Sequence, residues 1–227
     1  MVFMPVCENA ALAQSDAELA ELLARCFLQP SPDFALEVKG GSLTRALREI
    51  LGECSDSEIR AALDDVESFA RDLSALDEQA AYLKLEADYN RLFVGPGKLL
   101  APPYESVHAT RDGLEGRGRL RGPAEREVHA AYMASGYDMP ERFVEYPDHI
   151  AVELEFLAML AAQEAEAWEQ GDESAAFELQ ERADAFREEH LGRWLPSFAE
   201  EVRSGAKLPF YASVATLARK TMLVPGE

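Results

Sequence analysis

The chain has 227 residues with 22 Lys and Arg against 42 Asp and Glu, a formal net charge of −20. Its field repels phosphate backbones, which excludes a nucleic-acid binder unless a strong local basic patch exists. Hydrophobic residues make up 48% of the chain, ample for a large core at this length, so a disordered protein is excluded as well.

No run of residues approaches the roughly 20 apolar positions of a membrane span, so no stable membrane insertion is expected. The opening Met1-Val2-Phe3-Met4-Pro5 lacks a basic region ahead of an apolar stretch, so no signal peptide is expected either. Cys7, Cys26 and Cys54 are odd in number, widely spaced and without a CxxC pair. That pattern is neither a disulfide framework nor a zinc site, and the expected compartment is the cytoplasm.

Residues 1–14 read as a flexible lead-in. Ser15 with Glu18 forms a capping-box pattern that predicts a helix running to Gln29, where Pro30 and Pro32 stop it. A second such pair, Ser55 with Glu58, predicts a helix over 59–76 with Ile59, Leu63, Val66, Phe69, Ala70 and Leu73 on one face. From Glu78 to Phe93 the residues Tyr82, Leu85, Tyr89 and Leu92 recur at helical spacing, and Val94-Gly95-Pro96-Gly97 ends the pattern.

Residues 95–122 lose the helical period, repeat Gly and Pro, and carry Arg111, Arg117, Arg119 and Arg121. They read as one long loop, of the length that usually serves a function. Helices are predicted again over 123–135 with Gly136 as terminator, then over 147–170 and, after the Gly171-Asp172 turn, over 173–190. Two more follow over 192–203 and 209–222. No repeat of solenoid length recurs. The expected fold is all-α, a single domain of eight or nine helices over 1–227 with one long Gly/Pro/Arg-rich loop.

Asp148-His149 is the first candidate for chemistry. With Pro147 at the first helical position, Tyr146 becomes the expected N-cap and Asp148 falls in the first turn, where the helix dipole favours a carboxylate. His149 and Glu153 are four residues apart and share a helix face. HExxH and GxSxG are absent, and the spacing around Gly95–Lys98 does not match a phosphate-binding loop. The di-iron motif Glu-x-x-His occurs only as Glu105 to His108, in the loop. No catalytic residue, metal or cofactor is expected. Residues 141–190 hold 15 acidic against 3 basic residues, a local net of −12. Such a stretch is either a solvated face or a surface that steers a basic partner.

Taken together, three segments carry more information than each does alone. Tyr89-Asn-Arg-Leu92-Phe93-Val-Gly95-Pro96 leads into Ala101-Pro102-Pro103-Tyr104-Glu105-Ser106-Val107, and later comes Glu145-Tyr146-Pro147-Asp148-His149 followed by Glu153-Leu154-Glu155-Phe156. In order and spacing this resembles the TorD/DmsD family of redox-enzyme maturation chaperones, over roughly residues 15–220. The chain departs from that pattern at Tyr104, where many members have Trp, at Glu-Tyr-Pro-Asp-His, and in a longer, Arg-rich 109–122.

The resemblance implies an all-α fold and a chaperone without catalytic activity. Its expected partners are the apo catalytic subunit of a molybdopterin oxidoreductase and that subunit's N-terminal twin-arginine leader, held until the cofactor is inserted. The implied peptide-binding positions are Tyr89, Leu92, Phe93, Pro103, Tyr104, Asp148 and His149. Glu105 or Glu153 could join Asp148 in pairing with a guanidinium, while the aromatic and apolar residues line a groove. His149 could give the grip a pH dependence, because its ordinary pKa is near 6.5. The alternatives are a nitrate-reductase-type chaperone that does not read the twin arginine, a helical adaptor acting through its acidic face, and an enzyme, either a hydrolase using Asp148 and His149 or a nucleotide-dependent factor using Gly95–Lys98. A monomer and a domain-swapped homodimer are both compatible with the sequence.

Overall fold

The computed structural model describes residues 6–96, 99–109, 118–139 and 145–223. It is all-α. In chain order the helices are α1 Val6–Cys26, α2 Pro32–Lys39, α3 Ser42–Leu51, α4 Ser57–Ser74, α5 Glu78–Tyr89, α6 Glu105–His108, α7 Pro123–Ala134, α8 Ile150–Gln170, α9 Glu173–Phe186, α10 Gly192–Gly205 and α11 Pro209–Thr221. At Asn90–Val94 and Arg187–Leu191 the hydrogen bonding widens to i→i+5, extending α5 and α9 by one loose turn each.

Contacts divide the chain into two compact units, one of Met1–Arg25, Tyr104–Arg193 and Met222–Glu227, the other of Cys26–Pro103 and Trp194–Thr221. In the first unit α8 and α9 pack as a hairpin. Gly171, at φ +73, takes the left-handed turn between them, and the Asp172 side chain caps α9 by accepting from Ala175 N at 3.1 Å. Ala10, Ala13, Ala165, Ala167, Trp168 and Ala176 form one apolar cluster of this unit. A second contains Tyr132, Tyr137, Phe156 and Phe186, with ring centroids 4.7 Å apart for Tyr132–Phe156 and 4.8 Å for Phe156–Phe186.

In the second unit α4 lies along α11. Lys220, at the end of α11, meets Asp56 at 2.7 Å and Glu58 at 3.1 Å, at the start of α4, so the two helices run antiparallel. Between them Phe69 and Phe210 stack with centroids 5.7 Å apart. Asp88, buried on α5, accepts from Leu208 N at 2.9 Å and Lys207 N at 3.1 Å and pairs with Arg91 at 2.6 Å. It thereby caps the approach to α11 from 120 residues away in sequence.

Several expected boundaries move. Residues 6–14, expected as a lead-in, are helical, so α1 starts before Ser15 and that residue caps nothing. The cap of α4 is Asp56, whose carboxylate accepts from Glu58 N at 2.7 Å and Ile59 N at 3.3 Å, displacing the expected Ser55. Helices α2 and α3, unforeseen in the sequence, are 8 and 10 residues long. The expected loop 95–122 contains the single turn of α6, while 97–98 and 110–117 lie outside the described residues.

Candidate functional site

Pro102 and Pro103 bar a helix ahead of Tyr104 and favour extended backbone. Tyr104 accordingly sits at φ −132, ψ 129 and forms an isolated antiparallel bridge with His149. This stitches together two motifs about 45 residues apart in sequence. Glu105 N donates to the Asp148 carbonyl at 3.0 Å, and Ser106 N donates to the Asp148 carboxylate at 2.9 Å. Asp148 therefore satisfies the start of α6 rather than the first turn of α8.

The cap of α8 is His149, not Tyr146. Its Nδ1 accepts from Ala151 N at 3.1 Å, which fixes the proton on Nε2 and the ring as neutral. Burial lowers its pKa to about 3, so the ring stays neutral near pH 7. Glu153, on the first turn of α8, donates its backbone N–H to the His149 carbonyl at 3.0 Å. Tyr132 on α7 holds the same corner, donating its hydroxyl to the Pro147 carbonyl at 2.9 Å.

Behind Tyr104 lies a buried polar pair. Glu105 Oε2 is 3.0 Å from His190 Nδ1, with the two side chains 3% and 7% exposed. The loose turn Arg187–Leu191 carries His190 there, against the Phe186 ring at 4.6 Å. Burial raises the Glu105 pKa, the hydrogen bond and charge of His190 pull it down, and the neighbouring Asp148 raises it again. Burial also raises Asp148, against the opposing hydrogen bonds from Ser106.

The outward side of this corner is an aromatic ledge. Tyr104, Glu145 and Tyr146 are half-buried. The Tyr104 hydroxyl donates to Glu145 at 2.6 Å, and its ring lies 6.0 Å from Tyr146 and 5.1 Å from His149. The guanidinium of Arg121 sits 5.5 Å from the centroid of the Tyr146 ring, within reach of a cation–π contact. Arg121 holds φ +61, a conformation that side-chain-bearing residues rarely adopt. Just before it, Gly118 runs so close to α6 that a Cβ would lie 2.1 Å from the Ser106 carbonyl oxygen, so only glycine fits there.

Of the nine peptide-binding positions expected from sequence, Tyr104, Glu105, Asp148, His149 and Glu153 fall in the first unit, and the first four interlock directly. Tyr89, Leu92, Phe93 and Pro103 belong to the second. There Tyr89 packs on Phe93 at 5.0 Å and donates its hydroxyl to the Phe27 carbonyl at 3.3 Å, while the Leu92 carbonyl accepts from Ala101 N at 3.1 Å. Eight of the nine are buried, and Tyr104 is the one with partial exposure. Sequence reasoning did not single out Asp88, Glu145, Arg121 or His190 for these roles. Their partners are remote in the chain, and only the Pro-Pro and Tyr-Pro punctuation hinted at where the contacts form.

The fold matches a known class. A crystal structure described as a redox enzyme maturation protein of Archaeoglobus fulgidus aligns over 90% of this chain and 91% of that one, with a TM-score of 0.51 at 23% identity. At the level of sequence, the profile described as nitrate reductase delta subunit matches residues 53–200. Chaperone protein TorD of Vibrio vulnificus is 32% identical over 181 residues, covering 75% of this chain and 80% of that protein. TorD of Vibrio parahaemolyticus is 29% identical over 210 residues, 92% of each chain. The chain belongs to the TorD-type family of redox-enzyme maturation chaperones. Its relatives are chaperones rather than enzymes. Among the described residues no helix is long and apolar enough to cross a membrane.

Proposed function

We propose that this chaperone binds the apo catalytic subunit of a molybdopterin oxidoreductase in the cytoplasm, together with that subunit's N-terminal twin-arginine leader, and holds it until the cofactor is in place. The observation that carries the proposal is the aromatic ledge, where Tyr146 seats the guanidinium of Arg121 and Tyr104 presents its hydroxyl to Glu145. A leader brings the same chemistry, a guanidinium pair beside an apolar stretch. A carboxylate beside an aromatic face suits a guanidinium. In this reading Tyr104 and Glu145 touch the leader. Glu105, Asp148, His149 and Glu153 hold the ledge from beneath, while the buried Tyr89, Leu92, Phe93 and Pro103 pack the second unit.

A second reading has its own support: the matching profile is that of the nitrate reductase delta subunit, which favours a client recognised without a twin arginine. One titration separates the two, using fluorescent leader peptides that carry Arg-Arg, Lys-Lys or Gln-Gln. Tenfold or greater preference for Arg-Arg, lost in Tyr104→Ala and weakened in Glu145→Gln, supports the first reading. Equal binding of all three peptides supports the second. Arg-Arg preference unchanged in both variants removes the ledge from the contact.

A further inference from the structure

The second unit holds a cavity of about 320 Å³ lined by α2, α3 and α4, and four of its walls are cationic: Lys39, Arg45, Arg48 and Arg71. Glu67 is the one acidic residue in the lining, and its carboxylate is taken by Arg48 at 2.7 Å. Arg48 also reaches Asp64 at 2.6 Å, which leaves Lys39, Arg45 and Arg71 without a carboxylate partner among the described residues. In a chain of net charge −20, this concentration of cations demands a reason.

The start of α3 opens at this cavity. Its N-cap is Gly41 at φ +74, which offers no side chain, and Ser42 turns its hydroxyl back to the Glu37 carbonyl at 3.1 Å. The first N–H groups of α3 therefore have no side-chain cap and carry the positive end of the helix dipole. Independently of that, Thr44 on the cavity wall is 5% exposed and its hydroxyl has no hydrogen-bond partner. A buried hydroxyl left unpaired costs free energy in the empty protein. An acceptor-rich anion is the species that would use it.

We propose that this cavity is an anion site that takes a phosphate group, held by the start of α3, the Thr44 hydroxyl and the side chains of Lys39, Arg45 and Arg71. The lining contains no aromatic ring on which a nucleobase could stack, so recognition stops at the phosphate. The site uses none of the residues of the aromatic ledge.

The test is a calorimetric titration of the full chain at low ionic strength with inorganic phosphate, tripolyphosphate and a nucleoside triphosphate. Phosphate binds, tripolyphosphate binds more tightly, and the nucleotide adds nothing beyond tripolyphosphate. Arg45→Gln with Arg71→Gln lowers phosphate affinity tenfold or more, and because both residues are exposed, an unchanged melting temperature is expected to show that the double variant is folded. Thr44→Val weakens phosphate binding while leaving the melting temperature of the free protein unchanged or raised, which a merely structural threonine would not do. Absence of phosphate binding at tens of millimolar overturns the proposal. Undiminished binding in the double variant, or a tenfold preference for the nucleotide over tripolyphosphate, overturns it equally.

Discussion

At the scale of single residues, the corner between Tyr104 and His149 shows how one imidazole can be structural in a place that invites a catalytic reading. The Nδ1 lone pair of His149 caps α8, and burial lowers its pKa from 6.5 to about 3. In the unfolded chain the ring takes up a proton near pH 6.5, whereas in the folded protein it does so only near pH 3. The stability it contributes is thus complete above pH 6.5 and is lost as the pH falls toward 3. Asp148 and Glu105, raised by burial, act in the opposite sense, because acidification neutralises them where they are. His149→Asn keeps a capping acceptor and removes the titration. Urea unfolding across this pH range is expected to give a flatter decline for the variant than for the wild type. Parallel curves would mean that His149 is not the group that titrates.

At the scale of elements, the loose turn at Asn90–Val94 and the buried Asp88 join α5 to the start of α11. Asp88 is 4% exposed and satisfies two backbone N–H groups and a guanidinium. Asp88→Ala leaves all three without their acceptor and is expected to cost about 3–5 kcal/mol. Asp88→Asn retains one acceptor oxygen and is expected to cost less. Denaturant midpoints of the two variants check the order, and a cost below about 1 kcal/mol for Ala would show that the α11 approach is held by packing alone.

Helix existence was legible wherever an apolar stripe ran for three turns or more between clear stops, as in α4, α8 and α11. It was not legible for α2 and α3. Each buries only three residues (Phe34, Ala35 and Val38; Leu43, Thr44 and Leu47), too few to set a period. Caps were misplaced at Ser15, Ser55 and Tyr146 because several adjacent residues can serve as caps. The backbone angles that choose among them are set by what the preceding chain must reach.

At the scale of the whole molecule, the charge of −20 predicts how a basic client meets the protein. An acidic surface steers encounter, and raising the salt from 0.01 to 1 M shortens the screening length from about 30 to about 3 Å. The association rate of an Arg-Arg leader is therefore expected to fall at least tenfold over that range, while its apolar contacts keep much of the affinity. Stopped-flow rates beside equilibrium titrations separate the two effects. Complete loss of binding at 1 M would leave only the acidic-face adaptor.

By itself the sequence determined the helical class and the family, because these rest on local periodicity, on Pro and Gly punctuation and on motifs read in order. Only the tertiary structure decided the pairings: Tyr104 with Glu145, Glu105 with His190, Asp88 with the start of α11, and four cations from three helices around one cavity. A buried polar group must find a partner, but the sequence does not say which remote residue supplies it. That choice is made by how the helices pack, where the loss of water makes each unmade hydrogen bond costly.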